Sequence, residues 1–157
     1  MIRCIRLSVI GLVALLFSPP ALAGVTTVQQ LNFGEFIVKN NNAAHSITVN
    51  LSGPAYAYDS AGFILISDTN IQYGIYDLDG MTPSTAIASV TVTQVTPLSG
   101  AGGPNFQMNT FQESHPATTD GSGVARINVG ATAQTSGTGT AYLDQTYTGT
   151  LQIQINF

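Results

Sequence analysis

Two histidines, one cysteine, eight acids and six tyrosines are the side chains on which chemistry in this 157-residue chain would have to draw. His45 and His115 stand far apart, and neither belongs to an H-E-x-x-H or H-x-x-H pair. The single cysteine is Cys4, so no His/Cys cluster has metal-ligand spacing. Asp77-Leu78-Asp79-Gly80 begins like a calcium loop, but Met81 stands where a third oxygen ligand belongs and no Glu closes the loop. It reads as a turn, as does Asp68-Thr69-Asn70. Gly121-Ser122-Gly123 lacks the frame of a nucleophile elbow. Nothing marks two of the acids as a glycosidase pair. The expectation is a protein that is not an enzyme and holds no metal or cofactor, with its histidines at polar strand edges and in loops.

The tyrosines leave two readings open. Tyr56, Tyr58, Tyr73, Tyr76, Tyr142 and Tyr147 suit an exposed stacking surface for sugars, and they equally suit ordinary strands and interfaces.

Charge narrows the classes further. Four basic and eight acidic residues make up 8% of the chain, against about a quarter in an ordinary soluble domain. Nucleic acid is excluded as a partner, because neutralising phosphates needs a cluster of Lys and Arg. A disordered acidic chain is excluded too, since 44% of the residues are apolar.

Residues 1–23 read as a secretory signal peptide. Arg3 and Arg6 precede an apolar run over residues 7–17, Ser18-Pro19-Pro20 breaks it, and Ala21-Leu22-Ala23 supplies a cleavage site. The apolar run is too short to span a bilayer. Export to the periplasm, cell surface, a fimbrium or the medium is expected, with no membrane span in the mature chain. Cleavage after Ala23 removes Cys4 and half of the basic residues, leaving Lys39 and Arg126 against eight acids, a formal charge of −6. Residues 24–157 then form one domain that holds itself together without a disulfide.

The elements that must position these side chains are strands. Ile47, Val49 and Leu51 alternate with polar residues, as do Ala88, Val90 and Val92, and at the end Leu151, Ile153, Ile155 and Phe157. Period two places each apolar set on one face of a strand. Phe63-Ile64-Leu65-Ile66 is continuous and reads as a strand covered on both sides. Residues 31–38, 71–76 and 124–133 complete about seven strands, separated by Gly-, Asn- and Asp-rich turns and with no helical period between them. Residues 97–116 read as a long loop. The fold class that follows is all-β, an antiparallel β-sandwich.

The last strand is unusual. Residues 147–157 alternate without a charge or a proline, whereas natural edge strands are usually blunted by one of these or by a bulge. Either it pairs internally on both sides, or it lies at an edge and accepts another chain's strand.

Leu31-Asn32-Phe33-Gly34-Glu35-Phe36, Val129-Gly130-Ala131-Thr132 and Tyr147-Thr148-Gly149-Thr150-Leu151-Gln152-Ile153-Gln154-Ile155-Asn156-Phe157 form an ordered set. Together they resemble the bacterial secreted domain of unknown function family 4402. That family is similar in turn to the spore coat U and archaic chaperone–usher pilin domains. The resemblance implies an immunoglobulin-like sandwich and a structural role at the surface or in a fimbrium. Its partners would be copies of itself or related subunits and a periplasmic chaperone. In such pilins an N-terminal extension completes a neighbour's fold, which makes Val25, Val28 and Leu31 donor candidates and Leu151, Ile153, Ile155 and Phe157 the accepting or chaperone-bound edge. Only seven residues separate the cleavage site from Leu31 and the pilins' cysteines are absent, so either residues 25–33 are themselves the donor or the sandwich is self-complete. The rival function is a monomeric carbohydrate- or protein-binding module, with Tyr-bearing loops such as those of Tyr56 and Tyr58 making the contacts.

Overall fold

A computed structural model describes residues 24–157; the signal peptide and cleavage site expected from sequence lie outside the described residues. Ten strands and no helix make up these residues: β1 Gly24–Gln29, β2 Glu35–Val38, β3 Ser46–Val49, β4 Tyr56–Tyr58, β5 Phe63–Ser67, β6 Gly74–Asp79, β7 Ser89–Ser99, β8 Gln107–Ser114, β9 Ala125–Gln134 and β10 Thr148–Asn156. Accordingly, none of them is in a helix long and apolar enough to cross a membrane.

All pairings are antiparallel. β9 is the spine of the large sheet. β8 runs along one of its edges, pairing with residues 128–134, while β6 (opposite 125–129) and β3 (opposite 131–134) share the other. β1 extends the sheet beyond β6, and β4 extends it beyond β3. Two ribbons, β7–β10 and β2–β5, stand outside this sheet and send their apolar residues into the same core. The succession β1-β6-β9-β8 with β7-β10 has the order A-B-E-D and C-F of an immunoglobulin-like sandwich, with β2 to β5 as additions between the first two strands.

The core follows from the period-two pattern. Ala125, Ile127, Val129, Ala131 and Ala133 of β9 are buried, as are Leu151, Ile153 and Ile155 of β10, with Ile47 and Val49 of β3. Leu31, Phe33, Phe36 and Phe63 complete the cluster. Gly34 makes the bend between β1 and β2: its φ is +88°, and a Cβ there would come within 2.9 Å of the Ser67 carbonyl oxygen. The Asn32 side chain accepts a hydrogen bond from the Gly34 N–H at 2.8 Å and holds the bend.

Four expectations need correction. Residues 107–114 are strand and not loop; a bulge between Asn109 and Gln112 shifts the register and hides the alternation. Asp77 and Asp79 belong to β6 and not to a turn, with Leu78 between them fully buried. Residues 31–38 are not one strand, because Gly34 bends the chain. Phe63 to Ile66 is covered on one face only: Phe63 is buried, whereas Ile64 and Ile66 are 44% and 42% exposed. The strand count rises from about seven to ten through β1, β4 and β8. β1 has a register shift of its own, and β4 is three residues long.

Candidate functional site

β10 ends the described chain and forms its plainest strand. Its ladder with β7 is regular from Leu151 to Asn156, with Ile153 opposite Val92 and Ile155 opposite Val90. Leu151, Ile153 and Ile155 face the core. Gln152, Gln154 and Asn156 lie opposite Thr93, Thr91 and Ser89 on the outer face. The hydroxyls of Thr96 and Thr150 meet at 2.8 Å, and the Asn156 amide donates to the Ser89 hydroxyl at 2.8 Å. Neither β7 nor β10 contains a charged residue.

Tyr147 fixes the entry to this strand. Its ring is buried against Phe106, edge to face at 5.1 Å, and Tyr142 stacks on Phe106 at 4.2 Å. The Tyr147 hydroxyl donates to the Leu143 carbonyl at 3.1 Å and accepts from the Leu143 N–H at 3.0 Å. A tyrosine just before a strand, bonded to the backbone a few residues upstream, is the tyrosine corner that marks strand F of an immunoglobulin-like sandwich. In the complete fold, F pairs with C on one side and with a strand G on the other. Here β7 fills the C position, and the opposite edge of β10 has no strand partner among the described residues. The sequence had signalled the strand through its alternation, but not the corner, whose distinguishing property is a hydrogen bond.

The residues singled out from sequence separate into groups. Leu151, Ile153 and Ile155 point into the core, so their backbone edge and not their side chains is what β10 offers. Phe157 lies beyond the strand and is 48% exposed. Val25 sits on β1 opposite Leu78 and is half-buried; Val28, at the register shift, is 51% exposed. Leu31 is fully buried and shares the core cluster with Leu151, Ile153 and Ile155. Within one copy, β1 is therefore the edge of its own large sheet, paired with β6.

The titratable groups gather elsewhere. Arg126 donates two parallel 2.8 Å hydrogen bonds to Asp77, which hold the Asp77 carboxyl below its usual range. His45, expected at a polar edge, is instead buried, and its Nδ1 lies 2.6 Å from Asp59. That contact lowers the Asp59 carboxyl, helped by the Ala61 N–H. Asp120 is lowered by the Val124 N–H and by Ser122 within its own turn. His115 is at a loop position as expected, 3.7 Å from Glu113. Burial pushes the Tyr76 phenol up to about 12; its hydroxyl has no well-formed hydrogen bond, and the Leu31 backbone offsets only part of the shift. Among the described residues no group of three or more His, Cys, Asp or Glu is placed to hold a metal ion.

Residues 24–157 match the family model described as Domain of unknown function (DUF4402), and the chain belongs to that family. No curated protein and no solved structure matches it.

Proposed function

We propose that this member of the DUF4402 family is an exported structural subunit of a bacterial surface assembly, built by strand addition at the open edge of β10. The observation that carries the reading is that an F-type strand of nine residues, marked by the Tyr147 corner and free of charge, is paired on one side only among the described residues. A row of unpaired N–H and C=O groups is a template for another strand, and backbone pairing then supplies the affinity. The resemblance that the sequence motifs imply to spore coat U and archaic chaperone–usher pilin domains is in keeping with the same role. It would make a fimbrium the setting, with copies of the chain or related subunits as partners and a periplasmic chaperone covering the edge before assembly.

β1 is the donor in this reading. It is a sheet edge, its register is broken between Thr27 and Gln29, and Val25 is its only residue packed against the core. Leaving β6 therefore costs little apolar burial. Leu31 stays behind, since it and Phe33 are fully buried in their own subunit.

Disulfide trapping tests the reading. Residues 24–157 contain no cysteine. A Val28→Cys copy mixed with a Gln154→Cys copy under mild oxidation should give a cross-linked dimer that vanishes when residues 24–29 are deleted from the Val28→Cys partner's donor strand and the cysteine is placed at Gln30 instead. Size exclusion and negative-stain microscopy of the unmodified protein should show oligomers or fibres. Monomers throughout, with no cross-link and with equal stability in the presence or absence of residues 24–29, would sink the proposal.

A further inference from the structure

The outer face of β9 carries Arg126, Asn128, Gly130, Thr132 and Gln134, because the alternate residues are buried. Three of these side chains are satisfied by neighbours on the same face. Arg126 is bonded to Asp77, Thr132 to Thr48 at 2.8 Å, and Gln134 to Asn109 at 3.2 Å. The Asn128 side chain makes no hydrogen bond with any described residue, and neither do the side chains of Ser52, Tyr73 and Ser114 nearby. These four line one cleft of about 350 Å³, closed by Leu51, Gln112 and Glu113.

The chain is shaped to make this cleft. β3 ends opposite Ala131 and β6 begins opposite Val129, so Gly130 marks the gap between the two strands that share the edge of β9. There the chain leaving β3 crosses close over the spine: a Cβ on Gly130 would lie 2.6 Å from the Val49 carbonyl oxygen and 3.5 Å from the Leu51 side chain. On the other side, Thr110 takes a left-handed φ of +48° within the β8 bulge. The bulge sets Gln112 opposite Gly130 and Ser114 opposite Asn128. Gln112 is then locked, accepting from the Leu51 N–H and donating to the Asn50 side chain, each at 3.1 Å. Bulges and left-handed non-glycine residues gather where a strand is re-aimed beside a site.

We propose that this cleft is a binding site for a neutral carbohydrate, a hexose or N-acetylhexosamine unit of a glycan. An amide and three hydroxyls offer both donors and acceptors, the Glu113 carboxylate accepts, and Tyr73 adds an aromatic ring. The volume is that of a small-ligand site. The cleft has no Lys or Arg, which excludes phosphate and anionic sugars as its ligands. Its one carboxylate is shared with His115, too few hard oxygen ligands for a divalent cation. The site lies on the large sheet and does not depend on assembly at β10. Of the six tyrosines that suit a sugar-stacking surface from sequence, Tyr73 lines this cleft, whereas Tyr56 spends its hydroxyl on Asp68 at 3.0 Å.

The test is a titration of the purified, isotope-labelled protein, followed by the side-chain NH₂ signals of Asn128 and Gln112. The probes form two arms, neutral glucans (maltose, cellobiose) and glycoprotein-type sugars (lactose, diacetylchitobiose), each taken to about 50 mM to detect millimolar binding. At least one arm should move both signals, and the arm that responds identifies the source. Asn128→Ala should weaken that binding about five- to tenfold, the loss of a hydrogen-bonding group, and Ser114→Ala somewhat less, with both variants still folded. Sialyllactose should bind more weakly than lactose. Failure of every probe to move these signals, shifts centred on Tyr56 and Tyr58 instead, or unchanged binding in Asn128→Ala would overturn the proposal.

Discussion

The edges of the large sheet and the edge of the β7–β10 ribbon are built by opposite rules. On the large sheet, β1 carries a register break, Thr26 on it bonds to Asp79 at 3.0 Å, and the Arg126–Asp77 pair lies one strand further in. At the sheet's other end, β4 is only three residues long. Breaks, charges and short strands are the devices that keep a sheet edge from accepting a further strand, and in β1 the break also loosens the strand from β6. β10 is nine residues long and has neither charge nor proline. The chain's low charge is thus unevenly distributed, and the blunting is absent where an immunoglobulin-like sandwich would have its next strand.

The largest effect should separate the two faces of β10. Ile153→Ala removes a fully buried side chain and is expected to cost about 2–5 kcal/mol in denaturant unfolding, while Gln154→Ala on the outer face stays within about 0.5 kcal/mol. A mild loss at Ile153 would mean that the ribbon is not packed as described. Gly34→Ala follows, at about 1–3 kcal/mol, since it forces a left-handed φ and a clash with the Ser67 carbonyl.

Much of this contrast was legible in the sequence, for physical reasons that differ by element. β10 and β9 announce themselves because an uninterrupted period of two needs no tertiary information to read. β8 did not, because its bulge leaves Met108 and Phe111 out of phase and its other residues are polar. Asp77 and Asp79 looked like turn residues, since the strand that holds them is defined by a partner 49 residues away, Arg126 on β9. The alternation of β10 told which residues would be buried, but not whether its second edge is paired, which depends on where every other strand goes. The cleft proposed to bind carbohydrate is illegible for the same reason: Ser52, Tyr73, Ser114 and Asn128 meet only through the crossing at Gly130 and the shift in β8.

Smaller effects sharpen the electrostatic side. Asp59 and Asp77 have folded carboxyls below their ordinary value of 3.8, so each contributes stability that is present above that value and is lost as pH falls through the lowered one. Thermal melts should therefore be flat from neutral pH to about 5 as far as these carboxylates are concerned and fall below about pH 4. Asp77→Asn should flatten part of that fall. Arg126→Ala should change stability little, and less still in high salt, because the pair is exposed. Tyr76→Phe removes a buried hydroxyl that has no well-formed partner, and should be neutral or stabilising by up to about 1 kcal/mol. A clear loss there would reveal a hydrogen bond that the packing conceals.

Amide hydrogen exchange along β10 tests the open edge most directly. In an antiparallel pair, successive residues turn their N–H groups alternately toward the partner and away from it. In the isolated subunit, alternate amides between Leu151 and Asn156 should be protected by β7 while those between them exchange quickly, and in the assembled form all should be protected. Uniform protection of these amides in the isolated monomer would show that both edges are already paired, and would contradict the account.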